Sequence, residues 1–340
     1  MSGTEHTEAP DGPAAGGAAA GAQDKPSGAR RMVHILAALL VVVVLPALLM
    51  AALVGRLGVS AMFIGLLLGA VGAKLGGRHR MLFVAPVIGV AAGLGAITAY
   101  DWSWVALLGV VGVIAGAGIG FGWLPPLLMV PYAATFVTPV SSVRSAVTYG
   151  AIVAIATLYG VVLARRFGAP EVADGDRLAP PVAASVAIVF GAVLAASGAI
   201  GVALGWTEPY WVAEPVLILV LYILMGKRER IREKALGTAL GAAAAVPVAI
   251  LSPPPEVLTA VGVVAFLIAL TQAKKYWLMY GLYTFSLVLL LAAPGEVGFE
   301  AEERGFQILV GIALLVIGLA VVHALGRWFA RRDPLPELAA

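Results

Sequence analysis

Apolar runs long enough to cross a bilayer recur from about Met32 to Leu325, and no other property of this 340-residue chain constrains its fold so tightly. In lipid such a run must satisfy every N–H and C=O within itself, which only a helix does. The interruptions of the apolar text predict spans at 32–54, 58–73, 81–100, 103–119, 123–140, 145–164, 181–205, 209–226, 235–251, 256–273, 276–293 and 305–325. Composition agrees. With 61% hydrophobic and 12% charged residues, too little polar surface remains to cover a soluble core. The expected fold is an all-α polytopic membrane protein with about 12 transmembrane helices.

The charges give this string an orientation. If the N-terminus is inside, the inner segments hold 19 of the 22 basic residues, and the outer ones hold only Arg56, Arg144 and Arg304. That asymmetry recurs loop after loop and places both termini in the cytoplasm. The excess of basic residues, a formal +3, thus marks topology rather than a nucleic-acid partner. From Trp102 to Val143 there is no charge at all, so two crossings or a re-entrant hairpin satisfy the count equally.

Residues 1–30, rich in Gly, Ala, Pro and Ser, are expected to be a disordered cytoplasmic tail. Arg30-Arg31 before Met32–Val54 has a secretory signal as its rival reading, but the run is long enough to be an anchor. With no cysteine there are no disulfides or thiolate metal sites, and the four histidines (6, 34, 79 and 323) are scattered. No metal or cofactor is expected. Neither a Walker-type phosphate loop nor a Ser/His/Asp or paired-carboxylate arrangement is present, so ATP hydrolysis and enzymatic activity are not expected.

The polar segment 166–180 divides six spans from six. Arg80 to Gly89 and Arg232 to Gly241 place Arg and Gly at the same separation. Ala-Thr-Phe (134–136) matches Tyr-Thr-Phe (283–285), and Arg144 and Arg304 each open the last span of their half. Six spans per half is even, which predicts two parallel six-helix repeats, 31–165 and 181–328, followed by a short cytoplasmic tail, 329–340.

The second half carries a more specific pattern. Glu208-Pro-Tyr-Trp-Val-Ala opens one span, and Arg232-x(4)-Gly237-Thr238-x-x-Gly241 enters the next. Lys275-Tyr-Trp, Tyr283-Thr284-Phe285 and an Arg304-led final helix with Gly311 follow. This resembles the membrane module of the FUSC family, the fusaric acid resistance and aromatic acid exporter proteins, a module that plant aluminium-activated malate transporters share. The resemblance implies transport of small organic anions across the plasma membrane, the cell inner membrane of a bacterium. Many members of that family carry a large cytoplasmic helical domain, whereas here only Arg331 to Ala340 follows the expected last span.

Few residues within the apolar text carry chemistry. Glu214 lies about one turn inside a span and precedes Pro215, which removes a backbone donor. A carboxylate there is a proton-coupling or ion-coordinating group, or an interfacial glutamate facing water. Arg144 and Arg304 read as a symmetric cationic lining for carboxylates, or as snorkelling side chains. Gly237, Thr238 and Gly241 form a small-residue stripe for helix packing. Pro125, Pro126, Pro131 and Pro139 make the fifth span irregular and turn it inward. Tyr132 and Thr135 there, with Tyr280, Tyr283 and Thr284 in the eleventh, are candidates to line a solute path. The alternating run Lys227 to Lys234 reads as a solvated helix end attracted to anionic lipid.

The expected function is secondary efflux of small organic acids, aromatic ones among them, coupled to protons. An anion channel and a non-transporting membrane scaffold are the alternatives. The expected partners are membrane lipid and a small organic anion; self-association into a homo-oligomer stays open.

Overall fold

The computed structural model describes residues 45–166, 178–224, 229–251, 253–272, 275–291 and 297–332. The expected N-terminal tail, most of the first span, most of the linker and most of the C-terminal tail lie outside the described residues; residues 329–332 of that tail continue the last helix. The chain divides into two units, Met1–Pro46 and Ala47–Ala340, and only the second is described at length. Among the described residues there are twelve α-helices and no strands. They are α1 (Leu45–Val54), α2 (Arg56–Gly76), α3 (Arg78–Thr98), α4 (Trp102–Ala117), α5 (Leu124–Thr135) and α6 (Val143–Arg166). The second set is α7 (Pro180–Ala203), α8 (Tyr210–Leu224), α9 (Glu229–Leu251), α10 (Pro255–Thr271), α11 (Tyr276–Leu291) and α12 (Val297–Arg332). The chain is a multi-pass helical membrane protein.

Local chemistry sets the helix ends. Asp101 caps α4, its carboxylate accepting from the N–H groups of Ser103 at 2.7 Å and Trp104 at 3.1 Å. Prolines occupy the first turn of α5, α7 and α10, where a missing N–H costs nothing. Gly77 (φ 85°) lets the chain turn between α2 and α3, and Gly205 (φ 66°) does so after α7.

Six helical segments have the length and apolarity to cross a membrane: Arg56–Gly76, Arg78–Thr98, Trp102–Phe121, Val143–Arg166, Pro180–Ala203 and Glu303–Trp328. The expected second span is therefore longer than its apolar text suggested. The expected fifth span, 123–140, is helical only over Leu124–Thr135. Pro125 and Pro126 fix its start, and the chain beyond Phe136 is irregular, with Val140 N–H donating to the Ala96 carbonyl at 3.0 Å. In the second half α8, α10 and α11 are shorter apolar helices, and α9 begins with five charged residues in its first six.

Pairings recur between the halves. In the first, α6 packs on α2 and α3, and α5 packs on α3 and α4. In the second, α12 packs on α8 and α9, and α11 packs on α9 and α10. α7 instead lies against α4, and α5 against α8, which joins the two sets. The main core includes Met81, Ile88, Trp104, Leu108, Leu128, Tyr149 and Leu194, and continues into α8 and α12. A smaller cluster of Ala245, Leu258, Val288 and Leu289 joins α9, α10 and α11.

Candidate functional site

Four helices of the second half bring one face each to a common point. Helical periodicity puts Trp211 and Glu214 together on α8, and Lys234 in line with Gly237, Thr238 and Gly241 on α9. α11 contributes Tyr280, Tyr283, Thr284 and Leu287, and α12 contributes Arg304 and Ile308. The glycines of α9 make the approach possible. A Cβ on Gly237 or Gly241 would run into the carbonyl oxygens of Trp277 and Gly281 on α11, so only glycine permits backbones this close.

At the centre is an ion pair. Lys234 Nζ donates to both carboxylate oxygens of Glu214, each at 2.7 Å, and lies 4.0 Å from the centroid of the Tyr280 ring. Lys234 is 0% exposed and Glu214 3%. Glu214 is ten residues before the described end of α8, and Lys234 five after the start of α9. At about 1.5 Å per residue these are roughly 15 Å and 7–8 Å along the helices, and the lysine stem spans much of the remainder. The pair therefore sits well inside the helix bundle.

A second pair lies nearer the start of α8. Arg304, 3% exposed, donates through Nη2 to Glu208, and its guanidinium stands 4.7 Å from the Trp211 ring centroid. Trp211 Nε1 donates to the same Glu208 oxygen at 2.9 Å. Glu208 itself is partly exposed, so this pair reaches the protein surface.

Both cations border one internal cavity, walled otherwise by Trp211, Tyr280, Tyr283, Thr284, Leu287 and Ile308. About 10 Å³ of it is open to the centre of a water molecule, room for a single water at most. Glu208, Glu214, Lys234 and Arg304 make the cluster formally neutral. Two buried ions cost several kcal/mol each to desolvate, and their attraction offsets this only in good geometry. The bidentate contact supplies it.

Of the residues singled out from sequence, Glu214, Arg304, Tyr283 and Thr284 meet at this cavity. Arg144 does not. It is exposed at the start of α6, whereas Arg304 is buried, so the two arginines occupy unlike places. Tyr132 stacks on Phe136 at 5.9 Å, and Phe136 meets Tyr210 edge-on at 5.7 Å, forming an aromatic seam between α5 and α8. Thr135 and Thr238 are fully buried, and their hydroxyls make no hydrogen bond.

Lys234 corrects the reading of the run 227–234 as a solvated end. The run mixes both signs along the sequence, but a helix turns by about 100° per residue, so its last lysine points inward. The stripe Gly237, Thr238 and Gly241 was the available signal, since Lys234 stands three, four and seven residues before them. Tyr280, a candidate from the eleventh span, is also at the cavity, whereas Glu208 and Trp211 were not singled out as site residues and stood only in the motif that opens the span.

A second concavity, about 520 Å³ between α3 and α6, is lined by Pro86, Gly89, Gly93, Gly150 and apolar neighbours. It offers no charged or hydrogen-bonding side chain.

Residues 194–318 match the family model of the fusaric acid resistance protein-like proteins. The FUSC resemblance thus holds over a segment running from α7 into α12. All the side chains of the buried cluster fall within it, and Arg144, Tyr132 and Thr135 fall before it. No curated protein and no solved structure matches the chain.

Proposed function

We propose that this protein is a FUSC-type secondary efflux transporter of small organic acids, aromatic ones included, coupled to protons through Glu214. The observation that carries the reading is the Glu214–Lys234 pair, buried in the bundle and sharing a cavity with Arg304. A pair placed only for stability could be replaced by well-packed apolar residues at little cost, so charges at this depth mark function by default. Arg304 is the anion-attracting group, held at the outer end of α12 by Glu208. Tyr283, Thr284 and the aromatic walls provide contacts for the body of an organic acid.

The transport reading also rests on the two parallel sets of six helices, N-in and C-in, with the site in the second set. The recurrent pairings of α2–α6 and α8–α12 support that arrangement. The cavity has no room for a solute, so a solute-bound form needs the helices to part, on one side at a time. Reconstitution tests the coupling. Proteoliposomes loaded with labelled benzoate, with protein-free vesicles as the leak baseline, are expected to show protein-dependent flux that responds to an imposed pH gradient. Flux unaffected by the gradient would sink the coupling.

A further inference from the structure

Lys234 is a fully buried ammonium whose three donors face a particular set of partners. Two oxygens of one carboxylate lie at 2.7 Å, and the face of Tyr280 lies behind it. That is how a carboxylate ligand would be bound, and here the carboxylate belongs to the protein. The space beside it is about 10 Å³, so no organic anion can be added while Glu214 stays where it is. An incoming carboxylate must take the place of the resident one.

α8 is built to let Glu214 leave. Pro215 follows it and lacks the N–H that would hold the helix at that turn. Gly311 of α12 lies directly against the Val212 carbonyl and the Pro215 ring, so the turn beside Glu214 meets α12 through a residue without a side chain, with Arg304 and Ile308 lining the cavity further along α12.

The surrounding charges define what can replace it. α9 contributes Lys234, α12 contributes Arg304, already engaged by Glu208, and α11 contributes the neutral Tyr280 and Tyr283. α7 has no ionisable side chain, and α5 has only Tyr132, which is stacked on Phe136. With Glu214 ionised the cluster is neutral. One proton from water on its carboxylate removes the ionic attraction to Lys234, turns one of the two acceptor oxygens into a hydroxyl, and leaves a single uncompensated positive charge. A monoanion restores neutrality; a dianion overshoots it.

We infer that Lys234 is the binding residue for the carboxylate of a monoanionic solute, and that Glu214 is its tethered stand-in, displaced when the site takes up one proton. This rests on the transporter reading and fixes its stoichiometry: one proton and one anion occupy the site together and cross in the same direction with no net charge, so export runs down the combined gradient of solute and proton. The empty carrier can return because Glu214 refills the place of the ligand.

Purified protein in detergent, titrated with benzoate and with acetate between pH 5 and pH 8, tests this. Wild-type affinity is expected to rise as pH falls, by up to about tenfold per pH unit, the limit for one linked proton. Glu214→Gln, a mimic of the protonated acid, is expected to bind at pH 8 at least about tenfold more tightly than wild type and to lose the pH dependence. Glu214→Gln/Lys234→Met carries no unpaired charge and is expected to bind neither anion at any pH. Wild-type affinity independent of pH, or Glu214→Gln without binding, overturns the exchange at Lys234. Proton-coupled flux in vesicles alongside pH-independent binding would remove this inference and leave the transporter reading. The expected binding without any flux would do the reverse.

Discussion

At the scale of single residues, the buried pair makes an energetic prediction that is independent of transport. Lys234→Met leaves the Glu214 carboxylate buried without its partner, a loss of roughly 3–5 kcal/mol. Glu214→Leu/Lys234→Met removes both charges and is expected to be as stable as wild type, or more so. Thermal unfolding in one detergent checks the contrast; equal destabilisation by the single and the double change would contradict it. Glu214 was legible in the sequence because a lone acid inside an apolar run has few bland explanations. Lys234 was not, because the six other charges of the run disguised it. Mixed signs along the sequence suggested a wet segment, whereas the helical period separates Lys234 from Arg232, which stays exposed. Arg144 shows the opposite error. Its equivalence to Arg304 was read from serial position, and position along a chain does not determine burial.

Elements are held together here by close backbone contact rather than by large apolar side chains. Gly69 of α2 faces the Thr157 carbonyl of α6, and Gly241 of α9 faces the Gly281 carbonyl of α11. A Cβ at either position meets backbone, which cannot rotate aside. Gly241→Val is therefore expected to cost at least about 1–3 kcal/mol, as overpacking does, and to separate α9 from α11. The same change at Gly326, where an added Cβ meets nothing within 4 Å outside its own helix backbone, is expected to be tolerated. Monodisperse yield and melting temperature compare the two. The α4 cap carries the one pH effect at this scale. Hydrogen bonds from the Ser103 hydroxyl and from the Ser103 and Trp104 amides hold the Asp101 carboxyl below its usual range. Its folded value is depressed, so the cap contributes above about pH 4 and is lost as pH falls through the folded value. Hydrogen exchange in the first turn of α4 is expected to rise in acid, whereas Asp101→Asn, a capping residue without a titratable group, flattens the response. Helix existence was well legible from apolar runs. The end of α5 was not, because proline content signals a break without saying on which side of Phe136 the helix stops.

For the whole molecule, the charge count and the helix lengths place different demands on the membrane. With twelve crossings and the N-terminus inside, 19 of the 22 basic residues fall on one side, and a pairwise reduction of the crossings keeps that parity. Length and apolarity vouch for six helical segments among the described residues. α10, 17 residues from Pro255 to Thr271, spans only about 26 Å, so it can cross a full bilayer only if protein or water replaces lipid at one end. The absence of cysteine makes the resulting topology directly measurable. Thr207, exposed between α7 and α8, and Lys275, exposed between α10 and α11, are expected on opposite faces. In sealed, right-side-out vesicles Thr207→Cys should react with a membrane-impermeant maleimide, and Lys275→Cys should react only after permeabilisation. Labelling of both from outside would show that α8 to α10 do not make an odd number of crossings. The module would then be a partly re-entrant bundle, with Glu214 and Lys234 approached from one face only.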